Sequence, residues 1–190
     1  MGENWDKSAL SWFEEARRGP FRFLHDLDKG HFAQRTPIVS VSCADYKRNF
    51  DMIRHIAFLR GFEPGEYHLT HRLGWHGGII RIVEDSSTNQ IPRSDEMFLT
   101  ELLEAHEITK LSDYVVYAHW PCGKALKHGL KIYDVVNHLM KARIRLKELC
   151  PAIKIKTLFH VDVPPEVSDT GMKSYFADPR DYAVYLDHYI

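Results

Sequence analysis

The chain's 190 residues, 44% of them hydrophobic, suffice for one domain with a substantial core and argue against a disordered chain. A formal net charge of −1 and a pI near 6.9 give no electrostatic case for binding nucleic acid or an anionic membrane. There is no apolar run of the roughly 18 residues that a membrane span needs, no signal-peptide core near the N-terminus, and Asp6 stands where a myristoylation site wants a small hydroxyl residue, so the expected location is cytoplasmic.

Two N-terminal stretches read as helical. Ser8–Gly19 places Leu10, Phe13 and Ala16 at helix spacing and stops at Gly19-Pro20, and Pro20–Gly30 follows it. Thr36–Cys43, β-branched and bounded by Pro37, reads as a strand. Tyr46–Phe62 reads as a helix with Phe50, Ile53 and Ile56 or Ala57 on one face and Gly61 as its stop. Glu66–Leu73 reads as a second strand, and Gly74–Arg93 as a loop with room for a short strand or helical turn.

A helix is expected from Ser94, carrying Phe98, Leu102 and Leu103, and then a strand over Asp113–His119. Val135, Leu139, Ala142, Leu146 and Leu149 mark a longer helix that ends before Pro151. Ile153–Val163 is a further strand, and Asp178-Pro179 opens a last helix as a cap and a first-turn proline. The alternation predicts a single α/β domain over 1–190, its mainly parallel sheet flanked by helices on both faces, with a helical arm over 1–30.

In such a sheet, ligands collect at the carboxyl ends of strands. Cys43 ends one expected strand, His119 ends another, and Cys122 lies in the turn just after it. If the two strands are neighbours, two thiolates and an imidazole converge into a recognised zinc set, and Asp45 lies within reach. Two thiolates cancel the charge of Zn2+, so a water in the fourth position would have its pKa brought toward about 7. A cysteine at a strand end is commonly just a small buried hydrophobe, and Cys150 is read that way. The odd cysteine count also argues against a disulfide framework. His68, His71 and His76 are read as polar surface or turn residues rather than a second metal site. Lys124, Lys127, His128 and Lys131 are read as a solvated helix face, and Tyr182, Tyr185 and Tyr189 as packing or a subunit contact.

"SCADYK" and "HWPCGK" together resemble the signature of the β-class carbonic anhydrases, Cys-x-Asp-x-Arg followed by His-x-x-Cys-Gly. Cys43, Asp45, His119, Cys122 and Gly123 match it position by position. The resemblance implies a parallel sheet with one added antiparallel strand, a zinc ion on Cys43, His119 and Cys122, and reversible hydration of CO2 to bicarbonate. It further implies a homodimer or dimer of dimers embraced by the N-terminal helices, with Gln34 hydrogen-bonding the substrate. Arg72 and Gly74 loosely echo a further family motif. The informative departure is Lys47, which stands where the family has the arginine that pairs with the aspartate and keeps it off the metal. An ammonium cannot make that two-pronged pair. Lys47 is therefore expected either to hold Asp45 by charge alone or to let Asp45 become a metal ligand. The alternatives to CO2 hydration are hydrolysis of carbonyl sulfide or carbon disulfide, and a non-catalytic zinc protein whose site Asp45 closes.

Overall fold

A computed structural model describes residues 5–63, 66, 69–163 and 173–189, apart from the side chains at 46 and 47. Six helices, α1 (Lys7–Arg18), α2 (Tyr46–Leu59), α3 (Ser94–Thr109), α4 (Gly123–Lys127), α5 (Ile132–Leu149) and α6 (Pro179–Tyr189), surround one sheet. Its strands are β1 (Leu24–Asp26), β2 (Ile38–Cys43), β3 (Thr70–Trp75), β4 (Asp113–Trp120), β5 (Lys154–Val161) and β6 (Lys173–Ala177), in the order β1-β6-β5-β4-β2-β3. The β3-β2-β4-β5 block is parallel. Only β6 runs against the rest, antiparallel to both β5 and β1.

The two faces of the sheet are covered unequally. Val39 and Val41 of β2, Tyr114, Val116, Ala118 and Trp120 of β4, and Phe159 and Val161 of β5 join the larger apolar core. Residues of α1, α3, α5 and α6 complete it, with Val135, Leu139, Ala142 and Leu146 of α5 fully buried. The alternate residues Ile38, Val115, Tyr117 and Leu158 face the other way, against Met52, Ile56 and Leu59 of α2. That alternation is the two-residue period of the strand. Phe50 departs from expectation: it is 64% exposed, because α2 turns Met52, Ile56 and Ala57 inward. Leu149, at the last turn of α5, is likewise exposed.

Two further differences, and the turn expected within Gly74–Arg93, have local causes. The stretch expected as a second helix after Pro20 holds β1 and a short 3-10 turn at Lys29–His31, because Leu24 and Asp26 pair with Ala177 and Tyr175 at the sheet edge. Strand β6 has no strong apolar alternation and is held by those same pairings. Part of Gly74–Arg93 forms a 3-10 turn at Gly78–Ile82, which buries Ile79, Ile80 and Ile82. The strand expected over Glu66–Leu73 is found at Thr70–Trp75, and His68 lies outside the described residues. Helix α1 buries Phe13 and Ala16 within its own chain, where Phe13 meets Trp5 and Tyr175 edge-on. Tyr182 and Tyr185 likewise pack against Phe23. Asp178 caps α6 as expected, accepting from the Arg180 amide at 2.8 Å. No helix among the described residues is long and apolar enough to cross a membrane.

Candidate metal centre

The chain runs from β2 outward to β3 and then returns to place β4 on the other side of β2, so the strand order switches between β2 and β4. Their pairing ends at Val41 and Val116, although β2 continues to Cys43 and β4 to Trp120. A crevice opens where the two strands part, at their carboxyl ends. Such a switch point is where open α/β sheets bind ligands.

Cys43, His119 and Cys122 meet in that crevice. One donor atom from each lies within 4.8 Å of the other two, and the three residues are buried, at 5%, 2% and 2% exposure. Both ring nitrogens of His119 are buried without a hydrogen-bond partner among the described residues. A buried polar atom left unpaired costs about 1–3 kcal/mol. A metal ion would remove that cost at one nitrogen, and the S,S,N donor set is one that zinc accepts. The residues present therefore fit the metal that the sequence implies.

The backbone prepares both sulfurs. Gly77 N–H donates to Cys43 Sγ at 3.3 Å. That turn is pinned by Trp75 Nε1–H, which donates to the Gly78 carbonyl at 2.8 Å. Gly78 has φ +56°, and a Cβ there would lie 2.6 Å from the Cys43 nitrogen, so only glycine lets the turn come this close. The amides of Lys124 and Ala125, in the first turn of α4, point at the Cys122 sulfur. The Cys43 thiol is held far below its usual range, first by the hydrogen bond from Cys122 and then by His119 and the Gly77 amide, all acting against burial. The same hydrogen bond, together with burial, pushes Cys122 up. Binding a cation between them would displace the thiol protons.

Asp45 is not part of the three-donor cluster. Its Oδ2 accepts from Arg48 Nη1 at 2.7 Å and its Oδ1 from the Arg48 amide at 3.3 Å. Burial pushes the Asp45 carboxyl up, but the amide, charge and guanidinium bond of Arg48 outweigh it and the net shift is downward. Arg48 is itself fixed by Asp162, through Nε at 3.1 Å to Oδ1 and through Nη2 to Oδ2. Asp162 is anchored in turn by its own N–H, which donates to the Trp120 carbonyl at 2.8 Å. Arg48, one residue after Lys47, thus gives Asp45 one guanidinium N–H and its amide, while the two-pronged face of that guanidinium pairs with Asp162. The Lys47 side chain lies outside the described residues. Neither Arg48 nor Asp162 was singled out from sequence, although Asp45 and Arg48 stand at the i, i+3 spacing that brings side chains together at a helix start.

The remaining candidates lie elsewhere. Gln34 sits beyond the opposite end of β2, where its amide nitrogen donates to the carbonyls of Lys29, Phe32 and Leu59 at 3.3, 3.4 and 3.1 Å. His71 and His76 are exposed and join no metal-ligating group among the described residues. Arg72 Nη2 reaches Asn49 Oδ1 at 3.4 Å, and Asn49 in turn accepts from Ser42 Oγ at 3.1 Å. Cys150 is half-buried and outside the cluster.

In structure, the chain is similar to β-carbonic anhydrases. One is CafD of the filamentous fungus Aspergillus fumigatus, at 11% identity and a TM-score of 0.42, covering 80% of this chain and 98% of that one. Another is the carbonic anhydrase of Streptococcus mutans, at 16% identity and a TM-score of 0.41, covering 88% of this chain and 93% of that one. No family model matches the chain, and no curated protein sequence does.

Proposed function

We propose that this protein is a zinc enzyme that hydrates CO2 reversibly to bicarbonate. The observation that supports this reading best is a buried Cys-His-Cys cluster beside an aspartate that Arg48 holds outside it. Zinc, when bound, would supply a Lewis acid that brings the pKa of a coordinated water toward about 7.

Cys43, His119 and Cys122 would hold the ion, and their two negative charges would neutralise it. Arg48 engages both oxygens of Asp45, one through its guanidinium and one through its amide. Held this way, the Asp45 carboxylate stays off the metal and can accept a hydrogen bond from the water that attacks the carbon of CO2. Asp162 keeps the guanidinium in plane, so Asp45 need not reorganise during the reaction. One proton is released for each bicarbonate formed. The Asp45 and Asp162 side chains, 25% and 30% exposed, mark the side of the centre open to solvent. The Arg48 clamp disfavours the alternative of a site closed by Asp45.

The test is elemental analysis together with stopped-flow CO2 hydration. Wild-type protein purified without added metal is expected to carry one zinc per chain and to hydrate CO2, and Cys122→Ala is expected to lose both. Full zinc in Cys122→Ala would overturn the ligand set. A zinc-loaded but inactive wild type would overturn the reaction.

A further inference from the structure

His160 lies beside the centre and is not used by the mechanism above. It is the register partner of His119 on the neighbouring strand β5 and is 3% exposed. Leu158, two residues earlier, packs against α2, so the strand period sends His160 to that same face. Its Nδ1 lies 2.9 Å from the hydroxyl of Ser174, which faces it from β6. Its Nε2 is buried and has no hydrogen-bond partner among the described residues.

The tautomer follows from Ser174. That hydroxyl has no other partner among the described residues, so its proton goes to Nδ1. The ring proton then sits on Nε2, as a donor with nothing to donate to. The register with His119 and the strand period place the ring beside His119 on the α2 face of the sheet. A ring N–H donor fixed through its other nitrogen, and buried without a partner among the described residues, is poised to orient a ligand. Within its own chain, the Gln34 amide is committed to backbone carbonyls and does not fill this role.

We propose that His160 is the ligand-orienting donor of the metal pocket, its Nε2–H holding a terminal acceptor atom of a small monoanion such as bicarbonate or cyanate beside Cys43, His119 and Cys122. The inference rests on the reading of that cluster as a metal centre, but not on CO2 being the substrate. Ser174 is a positioning residue, which acts by fixing the His160 ring and its tautomer.

The experiment is cyanate titration of the cobalt(II)-substituted protein, followed by its visible absorption spectrum, with cobalt content measured for each variant. His160→Phe is expected to keep the metal and to weaken cyanate by about fivefold or more, the loss of one hydrogen bond in a buried site. His160→Gln, which restores an N–H donor, is expected to stay within about threefold of wild type. Ser174→Ala, which frees the tautomer, is expected to fall between them. Unchanged cyanate affinity in His160→Phe would overturn the proposal, as would a His160→Gln variant no better than His160→Phe. If cyanate binding depends on His160 as stated while the zinc-loaded wild type fails to hydrate CO2, the orienting role stands and the hydratase reading falls. A wild type that takes up neither zinc nor cobalt overturns both.

Discussion

Replacing Arg48 with alanine tests whether the guanidinium assembles the site. The substitution removes the 2.7 Å bond to Asp45 and both bonds to Asp162, and leaves two carboxylates facing each other. Arg48 is 16% exposed at its side chain, and the two aspartates 25% and 30%. Breaking a fully buried ion pair costs about 3–5 kcal/mol, and an exposed one contributes about 0–1. These partly buried groups fall between, so Arg48→Ala is expected to lose about 2 kcal/mol in urea unfolding of the zinc-loaded protein. Arg48→Lys keeps a charge but not the fork, and is expected to lose about half of that. Groups that orient a metal site through others are commonly worth about 10–100-fold. That is the loss of CO2 hydration expected for Arg48→Ala at full zinc content, measured by stopped flow. Since Arg48 already engages both oxygens of Asp45, Lys47→Arg is expected to change the rate by less than about threefold. An Arg48→Ala variant within twofold of wild-type activity, or a large gain from Lys47→Arg, would refute the assignment of the clamp to Arg48.

Gly78→Ala is expected to destabilise the protein by about 1–3 kcal/mol, since its Cβ would strike the backbone at Cys43 in a left-handed conformation, and to weaken metal retention; unchanged zinc affinity in a competition assay would contradict the close-approach argument. Leu139→Ala, at a fully buried position on α5, is expected to cost about 2–5 kcal/mol in denaturant unfolding with zinc content unchanged. Gln34→Ala is expected to lower stability by about 1 kcal/mol through its lost backbone hydrogen bonds and to leave kcat of the zinc protein within about twofold; a fall in kcat without loss of stability would instead mean that Gln34 serves a partner's site in a dimer.

Strands β2 and β4 of the parallel block were legible because each is an apolar run followed by helical segments, and both cues are local. The antiparallel edge was not. The segment Leu24–Asp26 has only three residues in the sheet, and Lys173–Ala177 mixes polar and apolar positions. Their strand character comes from pairing with each other and with β5, which a window along the chain does not contain. Phe50 was misread for a related reason. Its spacing from Ile53 and Ala57 is helical, but spacing alone does not show which of several apolar stripes faces the sheet.

The Cys43, His119 and Cys122 cluster could be found because strand ends can be placed from sequence and cysteines are few. The clamp around Asp45 was missed because the family spacing directed attention to position 47, whereas helix geometry directs it to position 48. Asp45 immediately precedes α2, and its carbonyl accepts the first helical bond, from the Asn49 amide at 2.9 Å. A residue in that place caps the helix through the amide two or three positions on. Arg48, three positions on, is the residue whose amide it meets, and the same geometry brings its guanidinium to the second oxygen. Asp162 could not have been named this way, since 114 residues separate it from Arg48 and only the β2-β4-β5 order brings them together. The cap thus sets which basic residue holds Asp45, and the sheet order sets what holds that residue. A lysine at position 47 is compatible with an aspartate held outside the cluster because Arg48, the next residue along the helix, reaches both of its oxygens.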